Sequence, residues 1–331
     1  MILSGKSPAF RDHAEAQRFP SIRKTDLGTR AGRAGAGFFV IGMAVAGLDE
    51  GGGRLSRRGT EQLLKLLAAR PRRLSSAEID GRTVWIKRFD TEKRPIAKRL
   101  HALLSPFLPM AFLRASPAAD ADGLARREAR KVARFAAAGF ATPQLLWQGR
   151  AVVVLSQVAQ IVEPELARLQ AAGDVAGHDA LLVEMAGLLG RVHAAGLCHG
   201  RPHPRDMFRM ADGTWGLLDF EEEPEAAMPL AVAQARDLWL LFMQIASRTR
   251  DEEVRAAAFD AWRAHAPAAI VPELRRAVAA LSVLVPGLKF LRPLGLGKDG
   301  LRLLDSILFL RAALRASPAA QIKPDRIGTP T

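Results

Sequence analysis

The stretch from Cys198 to Pro224 reads CHGRPHPRDMFRMADGTWGLLDFEEEP, and it carries most of the functional information in this chain. A turn signal, Asp212-Gly213, separates two short strand-like runs, which predicts a small hairpin. Asp206 lies at the start of this hairpin and Asp219 at its end. Mg²⁺ accepts one or two carboxylates and keeps most of its waters. The pattern therefore predicts two carboxylates for a metal ion that bridges phosphates.

The same stretch resembles the catalytic core of the protein-kinase-like superfamily, in its branch of lipopolysaccharide (Kdo and heptose) and small-molecule kinases. That branch reads H-G-D-x-H-x-x-N, then a short hairpin, an apolar pair and D-F-[ED]. Here the frame reads H-G-R-P-H-P-R-D and then L-L-D-F-E. Arg201 stands where the family has its catalytic Asp, and Asp206 stands where it has a metal-binding Asn.

The resemblance implies an α+β, two-lobed protein-kinase-like fold with a small β-rich N-lobe and a larger helical C-lobe. We expect the N-lobe, with a helical insertion, over residues 51–158 and the C-lobe over 159–317. Residues 1–50 are predicted to be a disordered N-terminal extension, with Met43 as a hypothetical native start. A disordered tail is predicted over 318–331.

Local patterns predict the individual elements. An amphipathic helix begins at Thr60, and hairpins are predicted over 73–89 and 145–157, around Asp80-Gly81 and Gly149. Further helices are predicted over 122–138, 178–195, 231–248, 251–265, 272–284 and 300–315. Strands first and helices afterwards, with one hairpin embedded among the helices, is the element order of the kinase-like fold.

A lysine and a glutamate are the predicted nucleotide-binding pair. Lys87 lies in the run VWIK of the first hairpin, and Glu128 lies on the helix predicted over 122–138. By resemblance they match the lysine that grips the phosphates and its ion-pair partner, with ATP and Mg²⁺ as the implied cofactors. A glycine-rich phosphate loop is missing before Lys87, because Gly51-Gly52-Gly53 comes too early in the chain.

The resemblance gives catalytic positions to Arg201, Asp206 and Asp219, and metal-binding positions to the two aspartates. Glu221 is a further candidate metal ligand. Arg does not deprotonate in proteins, so Arg201 cannot act as a general base, a loss that typically costs ~10²–10⁴-fold in rate. A slow phosphotransferase whose Arg201 holds an anionic acceptor is therefore the favoured expectation. A pseudokinase, which binds and scaffolds without turnover, is the alternative.

Two further residues are predicted to support the catalytic loop. By resemblance, His199 packs this loop on the core, and Asp237 accepts hydrogen bonds from its backbone. An N-cap of the later helix is a second possible role of Asp237. Cys198, the single cysteine of the chain, rules out an internal disulfide and is predicted to be a small buried apolar residue.

The net charge of +14 favours a phosphorylated small molecule or an anionic glycolipid as partner, or else reflects an Arg-rich solvated surface. Nucleic acid is disfavoured, because no basic run is interleaved with aromatic residues. The basic, apolar segment 93–114 is interpreted either as a helical insertion or as peripheral contact with an anionic membrane. The longest apolar run, Ala34–Leu48, is too short to span a bilayer. A cytoplasmic location, peripheral at the inner membrane, is expected.

Overall fold

The computed structural model describes residues 54–69, 72–91 and 110–316. The predicted N-terminal extension and tail, the Gly51-Gly52-Gly53 triplet and most of the 93–114 segment lie outside the described residues. The described part is a mixed α+β structure with small antiparallel sheets. It divides into two compact units. The first contains the described residues up to 91 together with 117–162 and 205–221, and the second contains 110–116, 163–204 and 222–316.

The first unit is built on a four-stranded antiparallel sheet and a three-stranded one. The spatial order of the strands is β1-β2-β4-β3 in the larger sheet and β5-β6-β7 in the smaller. The elements are α1 (Arg57–Ala69), β1 (Leu74–Ile79), β2 (Arg82–Arg88), α2 (Ala121–Ala137), β3 (Leu145–Gln148), β4 (Val152–Ser156), β5 (Gln160–Ile161), β6 (Met207–Arg209) and β7 (Trp215–Leu217).

The β1–β2 hairpin is confirmed, and its turn has the predicted residues. Asp80 and Gly81 both have positive φ, 53° and 73°, as a two-residue turn of mirror-image type requires. The register places Leu74 opposite Lys87. Alternate side chains of β2, those of Val84 and Ile86, are buried in the apolar core of this unit, and Trp85 between them is half-buried. Burial of each such side chain stabilises the fold by about 1.5–3 kcal/mol.

Helix α2 begins with a cap and has an unusual buried face. The carboxylate of Asp120 accepts a hydrogen bond from the backbone N–H of Gly123 at 2.7 Å. The buried residues of α2 include Arg127, Glu128 and Lys131 beside apolar ones. Charged side chains are seldom fully buried unless they are paired, so this face indicates a polar network next to the sheet.

The second unit is helical in all its long elements. They are α3 (Val162–Ala172), which begins at the last residue of the first unit, α4 (Val175–Ala194), α5 (Leu230–Ile245), α6 (Glu252–Arg263), α7 (Ile270–Ser282), α8 (Val285–Leu291) and α9 (Lys298–Ala316). Helix α4 packs closely on α6: a Cβ on Gly190 would lie 2.5 Å from the carbonyl oxygen of Trp262. The sequence did not predict α3 or α8, and α4 begins three residues before the predicted start, where Asp174 caps it.

None of the helices in the described ranges combines the length and apolar character needed to cross a membrane.

Candidate functional site

Four predicted or candidate residues of the first unit meet at the ammonium of Lys87, on β2. Its Nζ atom lies 2.6 Å from Oδ1 of Asp219, 2.9 Å from Oε1 of Glu221 and 3.1 Å from Oε2 of Glu128. Only 7% of the Lys87 side chain is exposed. Burial lowers the pKa of Lys87, but the attraction of Asp219, Glu128 and Glu221 outweighs burial and raises it well above the ordinary value. The ammonium is therefore charged at neutral pH.

Glu128 reaches this cluster from the buried face of α2, with 1% of its side chain exposed. Burial raises the pKa of Glu128 to about 7; the Lys87 ammonium opposes this rise, while Asp219 and Glu221 add to it. Its second oxygen, Oε1, is buried and has no hydrogen-bond partner in the part of the chain that the structure describes. A buried carboxylate with one oxygen unsatisfied is costly, and such groups are typical of functional sites.

Asp219 follows β7 with a left-handed backbone, φ 67°. Such a conformation is uncommon outside glycine, and residues that keep it often belong to binding or active sites. Phe220, which is fully buried, packs its ring 4.5 Å from the ring of Phe135 on α2. This contact fixes Asp219 beside the helix that carries Glu128.

Asp206 lies immediately before β6, with 5% of its side chain exposed and the Nε atom of Arg205 3.4 Å from one of its carboxylate oxygens. The backbone N–H of Leu218 donates to the carbonyl of Asp206 at 2.9 Å, so the two ends of the β6–β7 hairpin are joined. Asp206 and Asp219 therefore lie on adjacent backbone segments. Carboxylate oxygens are the ligand type that Mg²⁺ takes, so Asp206 and Asp219, the latter with 26% of its side chain exposed, are the residues that could hold it.

Sequence reasoning missed two arginines of this cluster. The Nη2 atom of Arg73 lies 2.5 and 2.6 Å from the two carboxylate oxygens of Glu221. Arg127 donates to the backbone carbonyls of Glu221, at 3.0 Å, and of Pro117, at 2.9 Å. From the sequence, Glu221 is a candidate metal ligand. In the structure its carboxylate pairs with two cations, Arg73 and Lys87. Arg73 and Glu221 are 148 residues apart, so no local pattern could have found them.

The second unit contains the loop that follows α4, held by Asp237. Its carboxylate accepts hydrogen bonds from the backbone N–H groups of His199, at 2.7 Å, and Gly200, at 2.9 Å, and the thiol of Cys198 lies at 3.2 Å. The two backbone contacts are of the kind that the resemblance implied for Asp237, and its role in a catalytic loop stays a prediction. The alternative role of Asp237 as an N-cap is wrong, because α5 begins at Leu230 and Asp237 is in its interior. His199 and Cys198 are both buried.

A buried histidine next to this loop was not predicted. Nδ1 of His193 accepts a hydrogen bond from the indole N–H of Trp262 at 3.1 Å. Burial lowers the pKa of His193, against an opposing effect of Asp237, whose carboxylate lies 3.7 Å from Nε2. The Gln234 amide donates to the carbonyls of His193 and Leu197, which fixes the end of α4 to α5. A neutral imidazole thus becomes part of the support of the loop.

The sequence-predicted residues therefore fall into two groups. Lys87, Glu128 and Asp219 are in contact in the first unit, which also contains Asp206. His199 and Asp237 are in contact in the second unit, where Arg201 is half-buried in the loop.

No family model and no curated protein sequence matches this chain. A solved structure of a MAP kinase from Leishmania major matches 76% of this chain and 85% of its own length. The sequence identity is 14% and the TM-score is 0.29, a similarity too low to carry an argument about this chain.

Proposed function

We propose that this chain is a phosphotransferase of the protein-kinase-like type, dependent on ATP and Mg²⁺ and similar to lipopolysaccharide-core sugar kinases. The observation that carries the proposal is the contact of Lys87 with both Glu128 and Asp219. Glu128 and Asp219 lie 41 and 132 positions after Lys87 in the sequence, and the resemblance selects all three. Phosphoryl transfer of this type uses a lysine that is paired with a glutamate and an aspartate that binds the metal ion, and we assign these roles to Lys87, Glu128 and Asp219.

Each residue has a proposed task. The Lys87 ammonium binds phosphate oxygens of the nucleotide, and Glu128 orients that ammonium from α2. Asp206 and Asp219 hold the metal ion from the two ends of the β6–β7 hairpin. The metal ion, when bound, neutralises charge that develops on the phosphates. His199 and Asp237 support the loop that contains Arg201, and Arg201 is assigned to an anionic acceptor.

The acceptor class follows from charge. A chain with a net charge of +14 favours anionic partners, and a guanidinium binds phosphate in a bidentate geometry. We therefore assign an anionic glycolipid or a phosphorylated small molecule as substrate. In this proposal the chain binds its substrate at the cytoplasmic face of the inner membrane. The membrane contact is peripheral in this proposal.

The melting temperature of the purified protein with and without ATP and Mg²⁺ tests the nucleotide site. A ligand at ~100 times its Kd stabilises the folded state by about 2.7 kcal/mol. The expected result is a rise that requires Mg²⁺ and that disappears in Lys87→Ala and Asp219→Ala. Lys65→Ala, which removes an exposed lysine of α1, is the matched control and should keep the rise. An unchanged melting temperature at millimolar ATP would contradict the proposal.

A pseudokinase is the second candidate, and Arg201 favours it. Arg201 stands where the resembling family has its catalytic Asp, and an arginine side chain cannot accept a proton from the acceptor hydroxyl. The substitution Arg201→Asp separates the two candidates: phosphate transfer should increase by roughly 10²-fold or more in a slow enzyme that lacks only its base. A protein that binds ATP but gains no transfer activity from this substitution is the non-catalytic module.

A further inference from the structure

The carboxylate of Glu221 lies between two cations of the first unit. The Arg73 guanidinium and the Lys87 ammonium both contact its Oε1 atom, at 2.5 and 2.9 Å. The three side chains are largely buried, with exposed fractions of 12% for Arg73, 7% for Lys87 and 24% for Glu221. Two cations that converge on one anionic group form a binding site for an anion, and here the protein's own carboxylate fills it.

Backbone structure holds both cations at the same end of the β1–β2 pair. Leu74 is opposite Lys87 in the β1–β2 register, and the N–H of Arg88 donates to the carbonyl of Arg73 at 2.7 Å. Arg73 is thus fixed next to the strand that carries Lys87. Glu221, in contrast, follows the β6–β7 hairpin, and no regular element contains it. Lys87 belongs to the sheet and Arg73 is hydrogen-bonded to it, whereas Glu221 lies outside the helices and strands.

We propose that Arg73 is a phosphate-binding residue that works with Lys87, and that Glu221 occupies their anion site until a polyphosphate displaces it. The ligand class is the di- or triphosphate group of a nucleotide. This inference rests on the proposed function and deepens it, because the chain has no glycine-rich loop before Lys87 to hold those phosphates. A guanidinium supplies in its place several donors with a fixed geometry.

The proposal gives Glu221 a role opposite to that of a metal ligand. As a ligand of Mg²⁺, Glu221 would increase nucleotide affinity, and its neutralisation would weaken binding. As the internal occupant of the anion site, it competes with phosphate, and its neutralisation strengthens binding. The sign of the effect of Glu221→Gln therefore distinguishes the two roles.

The test measures the Kd of ATP with Mg²⁺, and that of inorganic tripolyphosphate, by titration calorimetry. Glu221→Gln should lower both Kd values by roughly fivefold or more, because the phosphate no longer competes with a carboxylate for its charge-assisted contacts. Arg73→Met should raise both Kd values by about tenfold or more, because a charge-assisted contact to the phosphate is lost. In the double variant the gain from Glu221→Gln should vanish. Arg73→Lys, which keeps the charge and changes the structure less, should give an intermediate affinity if Arg73→Met does not fold.

Matched controls lie on α3, outside this cluster. Arg168 pairs with Glu165 through contacts at 2.7 and 2.9 Å, and 63% of its side chain is exposed. Arg168→Met and Glu165→Gln remove the same charges as the test variants and should leave both affinities within about twofold of the wild type, as expected for independent sites.

The outcomes separate this inference from the proposed function. If ATP binds with Mg²⁺ and depends on Lys87 and Asp219, but the Arg73 and Glu221 variants match their controls, the inference is wrong and the function stands. If tripolyphosphate shows the expected pattern while ATP binds no more tightly than tripolyphosphate, the anion site stands and the nucleotide function is wrong. If neither ligand binds any variant, both are overturned.

Discussion

The Nζ atom of Lys87 lies 2.6 Å from Oδ1 of Asp219, a residue 132 positions later in the chain. Lys87 belongs to β2 of the four-stranded sheet, and Asp219 follows β7 of the three-stranded one. The ion pair therefore connects the two sheets of the first unit. Because Asp219 has a left-handed backbone, the pair also stabilises a conformation that Asp adopts only infrequently.

Removal of the Lys87 charge should strongly destabilise the first unit. Lys87→Met leaves Glu128, Asp219 and Glu221 close together without their shared cation, and breaking a buried ion pair in this way costs about 3–5 kcal/mol. The free energy of unfolding from urea titration measures the loss. Lys65→Met, at an exposed position of α1, should change it by less than about 0.5 kcal/mol. Similar losses in the two variants would show that the buried cluster contributes nothing specific.

The pH dependence of stability should reveal Glu128. Its folded-state pKa is about 7, above the ordinary 4.5, so the folded chain binds an extra proton between these values. The contribution of this carboxyl to stability is therefore present at pH 4.5 and is lost as the pH rises to about 7. Urea midpoints from pH 5 to pH 8 should fall less steeply in Glu128→Gln than in the wild type. Glu61→Gln, at an exposed position, is the control, and a Glu128→Gln curve parallel to the wild type would contradict the assignment.

Asp237 should be necessary for the position of the loop that it binds. The Asp237 carboxylate accepts hydrogen bonds from the backbone N–H groups of His199 and Gly200. In Asp237→Asn an NH₂ group replaces one carboxylate oxygen, so two hydrogen-bond donors face each other and one hydrogen bond is lost. Hydrogen bonds to a charged acceptor contribute about 1.5–3 kcal/mol, and we expect a loss of that size. The reaction of Cys198 with a thiol reagent should also become faster, since the loop is released.

The control for that experiment is Asp260→Asn, on the exposed face of α6, which should alter neither stability nor thiol reactivity. An unreactive Cys198 in Asp237→Asn would mean that other contacts hold the loop.

A Cβ atom at Gly200 should not be tolerated. Gly200 has φ 103°, and a Cβ there would lie 2.7 Å from the Cβ of Glu222. Gly200→Ala should therefore destabilise the chain by about 1–3 kcal/mol. Gly287→Ala, inside α8 and with open space around the new methyl group, should instead stabilise it by about 0.5–1 kcal/mol. Thermal unfolding measures both changes in stability. Changes of the same sign in the two variants would contradict the prediction.

His193 should remain neutral well below the pH at which a free imidazole is protonated, since burial lowers its pKa. The unfolded chain takes up the proton first, so this histidine makes the fold less stable as the pH falls through about 6.5. Nitrogen-15 NMR of the imidazole follows its protonation directly, with the same chain in denaturant as reference. Protonation of the folded and unfolded chains at the same pH would contradict a buried neutral ring.

Local sequence patterns predicted the elements well where turn chemistry was explicit. The Asp80-Gly81 turn gave the β1–β2 hairpin, and thereby the strand of Lys87. The two missed helices, α3 and α8, each have a proline in the first turn, at Pro164 and Pro286. A proline there is compatible with a helix, because the first N–H groups have no intrahelical acceptor in any case.

The contacts of the candidate site were predictable only where a resemblance supplied them. It paired Lys87 with Glu128, and it paired Asp237 with the backbone of the loop at His199. Other contacts depend on tertiary structure alone, such as the hydrogen bond between His193 and Trp262, 69 residues apart. Side chains of this kind have no periodicity or spacing that distinguishes them from ordinary core or surface residues. The roles of the predicted residues in binding and catalysis stay predictions.

The carboxylate of Asp237 has a consequence for how the second unit opens. The amide hydrogens of His199 and Gly200 point at a fully buried group in the interior of α5, and solvent can reach them only when the loop and that helix separate. Loops commonly exchange their amide hydrogens by local fraying, at almost no free-energy cost. These two amides should instead exchange with deuterium as slowly as the core of α5. Exchange at a common rate would show that the loop and the helix open as one cooperative segment.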